Sequence, residues 1–125
     1  MRKILIVDDD DDLRKLYTQT FLDSKYDVDE ATSVNNALDL LGKNSYDIII
    51  TDILFPGMDG VYIIKKARSQ DSLNINTPII ILTNLDYGEK TKQALKEGAN
   101  ECLFKTKHTA KSIFKEVESI LKKDS

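Results

Sequence analysis

Apolar positions along this chain form two patterns, short unbroken runs and stripes with helical spacing. The short runs are rich in isoleucine, valine and leucine, which is typical of strands buried on both faces of a sheet. They predict strands over residues 3–7, 47–51, 78–82 and 101–104. A weaker segment, residues 27–30, contains Val28 as its one aliphatic side chain and is predicted to be a strand at the sheet edge.

Between the strands, apolar residues recur every three or four positions, which predicts amphipathic helices. These helices are expected over residues 10–23, 34–43, 60–70, 87–97 and 109–122. Ser33 stands where it can cap the second helix, and Gly98 where it can end the fourth. The alternation of strand and helix predicts an α/β fold, in which a parallel sheet carries helices on both faces.

Polar side chains stand where four of the predicted strands end. Asp8 and Asp9 follow the first strand, and Asp52 follows the third. Thr83 and Lys105 follow the last two strands. Because ligands of open α/β sheets bind beyond the carboxyl ends of the strands, these five side chains are expected to share one pocket.

The chemistry of this set points to a divalent cation and a phosphoryl group. Clustered carboxylates repel one another unless a cation intervenes, and Mg²⁺ prefers oxygen ligands, so Asp9 and Asp52 could share one ion. A carboxylate oxygen can attack a phosphoryl group, whose oxygens the hydroxyl of Thr83 and the ammonium of Lys105 can bind. Singly, such residues are more often caps, turn residues or solvated charges. Their placement at successive strand ends favours the phosphoryl site.

Composition narrows the classes of function. The 125 residues suit one domain, and a net charge of −3 disfavours direct binding of nucleic acid. No apolar stretch approaches the roughly 18 residues of a membrane span, and the first strand begins too early for a signal peptide. The single cysteine, Cys102, excludes an internal disulfide. We therefore expect a cytoplasmic domain without membrane contact.

Four segments, taken in order and spacing, resemble the receiver domain of bacterial two-component response regulators. They are Ile4 to Asp10, Asp52 to Gly60, Pro78 to Thr83, and Gly98-Ala99 followed by Lys105. The resemblance covers essentially the whole chain. It implies a flavodoxin-like fold, with a five-stranded parallel sheet of order 2-1-3-4-5 and five helices. Because the chain ends just after the last predicted helix, residues 1–125 are expected to form a single receiver domain without an output domain, either a stand-alone receiver or one excised from a longer regulator.

The resemblance implies a role for each residue of the predicted pocket. Asp52 would accept a phosphoryl group from a histidine kinase or a phosphotransfer protein of a phosphorelay. Thr83 would move to bind the phosphate, and Lys105 would pair with it. Mg²⁺ would be held by Asp8, Asp9, Asp52 and the backbone carbonyl of Leu54. The domain would catalyse only its own phosphorylation and dephosphorylation, and would signal through its surface to a downstream protein that the sequence does not identify.

Three positions depart from the family pattern. Thr106 replaces the usual proline, so the Lys105–Thr106 bond is expected to be trans, because a cis bond before a non-proline residue costs roughly 2.5–4 kcal/mol. Cys102 replaces the Tyr or Phe that usually acts as a rotamer switch, and Asn84 replaces a small residue. We therefore expect the phosphorylated state to be read through the loop 84–88 and the helix that follows it.

The lifetime of the phosphoryl group can also be anticipated from the resemblance. In the family, the side chains two positions after the phosphoacceptor and two after the threonine flank the path of the hydrolytic water. Here these are Leu54 and Leu85, neither of which can hydrogen-bond a water. Slow loss of the phosphate is expected.

The two alternative functions are an Mg²⁺-dependent phosphatase and a receiver-like scaffold. An Mg²⁺-dependent phosphatase with an aspartyl nucleophile typically has a second aspartate two residues after the first, and Leu54 at that position weighs against turnover of outside substrates. A receiver-like scaffold that is never phosphorylated would not need the complete set of five polar residues.

Overall fold

The computed structural model describes residues 1–84 and 88–123. Its strands are β1 (Lys3–Val7), β2 (Asp27–Ala31), β3 (Ile48–Thr51), β4 (Ile79–Thr83) and β5 (Glu101–Phe104). Its α-helices are α1 (Asp11–Asp23), α2 (Val34–Lys43), α3 (Val61–Ala67), α4 (Glu89–Lys96) and α5 (Ala110–Lys123), and a short 3-10 helix spans Lys105–Lys107. In the described ranges, no helix has the length and apolar character that crossing a bilayer requires.

The five strands form one sheet in the order β2-β1-β3-β4-β5, and every neighbouring pair is parallel. This confirms the predicted topology and places the weakly apolar β2 at an edge. Because the strands are parallel, their carboxyl ends lie at the same edge of the sheet, which is where the polar residues follow them.

Helices cover both faces of the sheet, and strand side chains alternate between the two cores. Leu5 and Val7 face the core built with α2, α3 and α4. Ile4 and Ile6 face the core built with α1 and α5. Burying each aliphatic side chain of this kind contributes about 1.5–3 kcal/mol, so unbroken apolar runs are what a central parallel strand requires.

Helix ends largely follow the capping residues of the sequence. The side chain of Asp10 accepts a hydrogen bond from the Leu13 amide at 3.1 Å, so residue 10, predicted as helical, is the cap of α1. Ser33 caps α2 in the predicted way, by accepting from the Asn36 amide at 3.1 Å. Gly98, with φ of +123°, provides the left-handed residue that follows α4.

Helix α3 ends at Ala67, before the predicted end at residue 70. The reason is the side chain of Arg68, which donates to the carbonyl of Gly98 at 3.1 Å and to that of Asn74 at 3.0 Å. Asn74 is fully buried, and its side chain accepts a hydrogen bond from the Tyr46 amide at 2.8 Å. These bonds hold residues 69–77 in a loop, which stops the helix.

Candidate functional site

A lysine and two aspartates meet at the carboxyl edge of the sheet. The Nζ atom of Lys105 lies 2.7 Å from Oδ2 of Asp8 and 2.8 Å from Oδ2 of Asp52. The Lys105 side chain is 6% exposed, that of Asp8 3% and that of Asp52 7%. Two buried carboxylates therefore share one ammonium group, and the three residues come from the ends of β1, β3 and β5.

The carboxylate of Asp52 is held by the backbone amides of the two residues that follow it. Its Oδ1 atom accepts hydrogen bonds from the amides of Ile53 at 2.7 Å and Leu54 at 3.0 Å. The hydroxyl of Thr51 donates to the Asp52 carbonyl at 2.7 Å. With Oδ1 held by two amides, Oδ2 is left to face Lys105.

Burial and charge shift the pKa values of Asp8 and Lys105. Burial raises the pKa of Asp8, and the hydrogen bond and charge of Lys105 offset part of that rise. Burial alone would lower the pKa of Lys105, but its hydrogen bonds to Asp52 and Asp8 outweigh burial and raise it. Lys105 is therefore a permanent cation in the site at neutral pH.

Arg14 is a site neighbour that the sequence analysis missed. Its side chain, 7% exposed, donates from Nη1 to the Asp8 carbonyl at 2.9 Å. It also donates from Nε to Glu30 at 2.9 Å and from Nη2 to Asp11 at 2.7 Å. A charged residue on a helix is usually solvated, so the one available signal was the aspartate three positions before it.

The other predicted site residues lie around this centre. Thr83 is fully buried at the end of β4. Asp9 is exposed and borders a cavity of about 250 Å³. Leu54 is 43% exposed beside Asp52. Of the loop 84–88, which was expected to report phosphorylation, residues 85–87 lie outside the described residues, and so does the predicted gate residue Leu85.

The donor chemistry of the site fits a hard divalent cation. Asp8, Asp9 and Asp52 supply carboxylate oxygens, and Lys105 is the cation that the described residues place against this set, so the set has a formal excess of two negative charges. Within residues 1–84 and 88–123, no three His, Cys, Asp or Glu side chains are already grouped as metal ligands. In this arrangement the Lys105 ammonium lies between two of the carboxylates.

The structure tests two of the departures from the family pattern. The Lys105–Thr106 bond is trans, as predicted, since no peptide bond among the described residues is cis. Cys102 is partly buried and packs against the core on the α2, α3 and α4 side of the sheet. Burial raises the pKa of its thiol, which fits a structural role better than a nucleophilic one.

Known proteins share both the sequence and the fold of this chain. The family model of the response regulator receiver domain matches residues 4–118. The regulatory protein VanRB of Enterococcus faecalis is 30% identical over 121 residues, which cover 97% of this chain and 53% of VanRB. The chain thus spans about half the length of that relative.

Solved structures agree with the sequence comparison. The chemotaxis response regulator CheY4 of Vibrio cholerae has a TM-score of 0.85 and 31% identity, covering 96% of this chain and 98% of CheY4. The receiver domain of the sensor histidine kinase PA1611 of Pseudomonas aeruginosa has a TM-score of 0.84 and 22% identity, covering 96% of this chain and 97% of that domain. That structure holds a magnesium ion coordinated in its active site cleft.

Proposed function

Because this chain belongs to the response regulator receiver domain family, we propose that Asp52 accepts a phosphoryl group in a two-component phosphorelay and that the phosphorylated domain signals by changing its surface. The observation that carries the proposal is the contact of one buried ammonium, that of Lys105, with both Asp52 and Asp8. A nucleophilic carboxylate needs such a cation where the oxygens of the incoming phosphoryl group arrive.

The contacts of Asp52 support a direct transfer step. A carboxylate oxygen forms a bond to phosphorus while the bond from phosphorus to an imidazole nitrogen of the donor breaks, and the bonding pair leaves with that nitrogen. The donor would be a phosphorylated histidine of a kinase or of a phosphotransfer protein. The amides of Ile53 and Leu54 keep the carboxylate from rotating. Lys105 is close enough to bind an oxygen of the transferred group.

A bound Mg²⁺ would complete the site. Its proposed ligands are Asp8, Asp9, Asp52 and the backbone carbonyl of Leu54. When bound, the cation would neutralise phosphoryl oxygens. Support comes from the formal excess of two negative charges at the site and from the magnesium in the cleft of the PA1611 receiver domain.

The domain is proposed to act on itself alone, in the cytoplasm. An aspartyl phosphatase needs an acid or base near its nucleophile, and Leu54, two residues after Asp52, has no group that can exchange a proton. The downstream partner would read the phosphorylated surface.

Incubation with Mg²⁺ and acetyl phosphate, followed by intact-mass measurement, tests the proposal. The wild-type protein should gain a single phosphoryl adduct, and Asp52→Asn should gain none, because the amide is not a nucleophile for phosphorus. The matched control is Asp12→Asn, which changes an exposed carboxylate on α1 and should be phosphorylated like wild type. An adduct that persists in Asp52→Asn would refute the assignment, and an unmodified wild-type protein would favour a scaffold.

The acyl phosphate is expected to be long-lived, because Leu54 stands exposed beside Asp52 and cannot orient a water. Leu54→Asn introduces a polar group there and should speed the loss of phosphate, on the order of tenfold. The measurement is the decay of the phosphorylated mass after removal of the donor.

Leu73→Asn is the control for this prediction, because Leu73 is also an exposed leucine, 56% accessible against 43% for Leu54, in the loop between α3 and β4. Its decay rate should equal that of wild type. If Leu54→Asn decays no faster than Leu73→Asn, an apolar side chain at position 54 does not set the lifetime.

A further inference from the structure

Arg14 is nearly as buried as the site residues, yet none of the proposed chemistry uses it. Its side chain spans from α1 to the end of β1 and to β2, contacting Asp8, Asp11 and Glu30. A guanidinium with five donors in a fixed plane is suited to holding several groups in one relative position.

The contact with the Asp8 carbonyl fixes the peptide that leads into Asp9. Because a peptide unit is planar, the Asp8 carbonyl and the Asp9 nitrogen move together. The Asp8 amide donates to the Ala31 carbonyl at 3.1 Å, and Oδ1 of Asp8 accepts from the Asp10 amide at 2.9 Å. The hydrogen bond from Arg14 to the Asp8 carbonyl, at 2.9 Å, holds the same turn from helix α1.

We propose that Arg14 is a positioning residue for the divalent-cation site, and that it acts by holding the Asp8–Asp9 peptide so that Asp9 is presented to the pocket of Asp8 and Asp52. The inference rests on the proposed function, in which Asp9 is a ligand of the cation. Glu30 and Asp11 anchor the guanidinium from β2 and α1 and thereby fix the direction of its Nη1 donor.

A purely electrostatic role for Arg14 predicts the opposite effect on metal binding. A positive charge near the site repels a cation, so its removal would tighten Mg²⁺ binding. Burial alone would lower the pKa of Arg14, but the hydrogen bonds to Asp11 and Glu30 raise it, so the guanidinium stays charged with two carboxylates beside it. Its net field at the pocket is therefore small, and geometry should dominate.

Mg²⁺ affinity measured by NMR titration, from the backbone amide shifts of Asp9 and Asp52, tests this role. Arg14→Met should weaken binding by about tenfold, the size typical of losing a group that orients a metal ligand. Arg14→Lys keeps the charge but lacks the planar fork and should bind almost as weakly as Arg14→Met. Lys15→Met, the matched loss of an exposed charge on the same helix, should stay within about twofold of wild type.

Unchanged or tighter binding in Arg14→Met, or wild-type affinity in Arg14→Lys, overturns the positioning role. Should Arg14→Met fail to fold, Glu30→Gln tests the same anchor from outside the site. It should bind Mg²⁺ at least a few-fold more weakly than Asp27→Asn, which removes the same charge from the same strand. Equal Mg²⁺ affinities of Glu30→Gln and Asp27→Asn also overturn the positioning role of Arg14.

Phosphorylation separates this inference from the proposed function. At saturating Mg²⁺, Arg14→Met should be modified by acetyl phosphate within about twofold of the wild-type rate, because a high Mg²⁺ concentration restores the occupancy of the weakened site by mass action. A rate that stays low at saturation would overturn the role in metal positioning. A wild-type protein that binds Mg²⁺ but takes no phosphate would refute the proposed function, while the affinities still decide the role of Arg14.

Discussion

Replacing Lys105 by methionine is expected to lower the free energy of unfolding by roughly 3–5 kcal/mol at neutral pH without Mg²⁺. Methionine fills a similar volume but leaves Asp8 and Asp52, both buried, facing each other without the ammonium that now contacts them. An uncompensated buried charge costs more than the original pair contributed. Urea unfolding followed by circular dichroism measures the difference.

The pH dependence of this loss has a definite sign. Burial already raises the pKa of Asp8, and removing Lys105 removes an effect that lowers it, so the pKa rises further. A carboxyl with a raised folded-state pKa contributes stability below its unfolded pKa, here 3.8, and that contribution is lost as the pH rises through the folded value. The gap between Lys105→Met and wild type should therefore narrow as the solution is acidified from neutral pH.

Lys107→Met is the control for the lysine prediction, because Lys107 is exposed and lies over the ring of Phe104. It should stay within about 0.5 kcal/mol of wild type. Mg²⁺ should restore part of the stability lost in Lys105→Met, because binding to the folded state alone stabilises it. If both lysine variants unfold at the same urea concentration, Lys105 does not balance the charges of the two aspartates.

The fold could be predicted because its determinants are local. Runs such as Ile48–Thr51 require burial on both faces, and the strand–helix alternation then leaves few topologies. The end of α3 could not be predicted in this way. It depends on Arg68 reaching the carbonyl of Gly98, a contact between residues far apart in the chain.

The site could be predicted only from the rule that ligands bind beyond the carboxyl ends of parallel strands. That rule brings Asp8, Asp52 and Lys105 together, but it does not say that the lysine lies between the two aspartates. The burial of Arg14 depends on Glu30 standing opposite it on β2, a pairing that no sequence spacing reveals. Such contacts between elements are set by packing, and the sequence pattern reports burial without reporting partners.

Gly60 shows a further constraint that the sequence conceals. The segment from Phe55 to Gly60 indicates a loop, and a loop does not by itself require glycine at its last position. In the structure Gly60 has helical φ and ψ, so conformation does not demand glycine. A Cβ atom at this position would instead lie 2.5 Å from the Cα and the carbonyl oxygen of Ile53. The backbone that follows Asp52 thus touches the start of α3.

Gly60→Ala is expected to lower the free energy of unfolding by roughly 2–4 kcal/mol, because the obstacle is backbone and cannot rotate away. The same displacement should impair the site, since the amides of Ile53 and Leu54 hold Oδ1 of Asp52. We expect slower phosphorylation by acetyl phosphate even where the variant is fully folded. Urea unfolding measures the loss of stability, and the rate of adduct formation measures the effect on phosphorylation.

Gly42→Ala is the matched control, because it adds the same methyl group where space exists. Gly42 lies inside α2, and the nearest atom to its added Cβ is the Cε of Lys66 at 4.0 Å. Alanine in a helix is favoured over glycine, so this variant should gain about 0.5–1 kcal/mol and keep the wild-type phosphorylation rate. Opposite signs for the two glycines would show that the contact with Ile53 is what position 60 must preserve. A Gly60→Ala protein as stable and as readily phosphorylated as wild type would mean that the loop after Asp52 can shift without cost, and that its amides do not fix the Asp52 carboxylate.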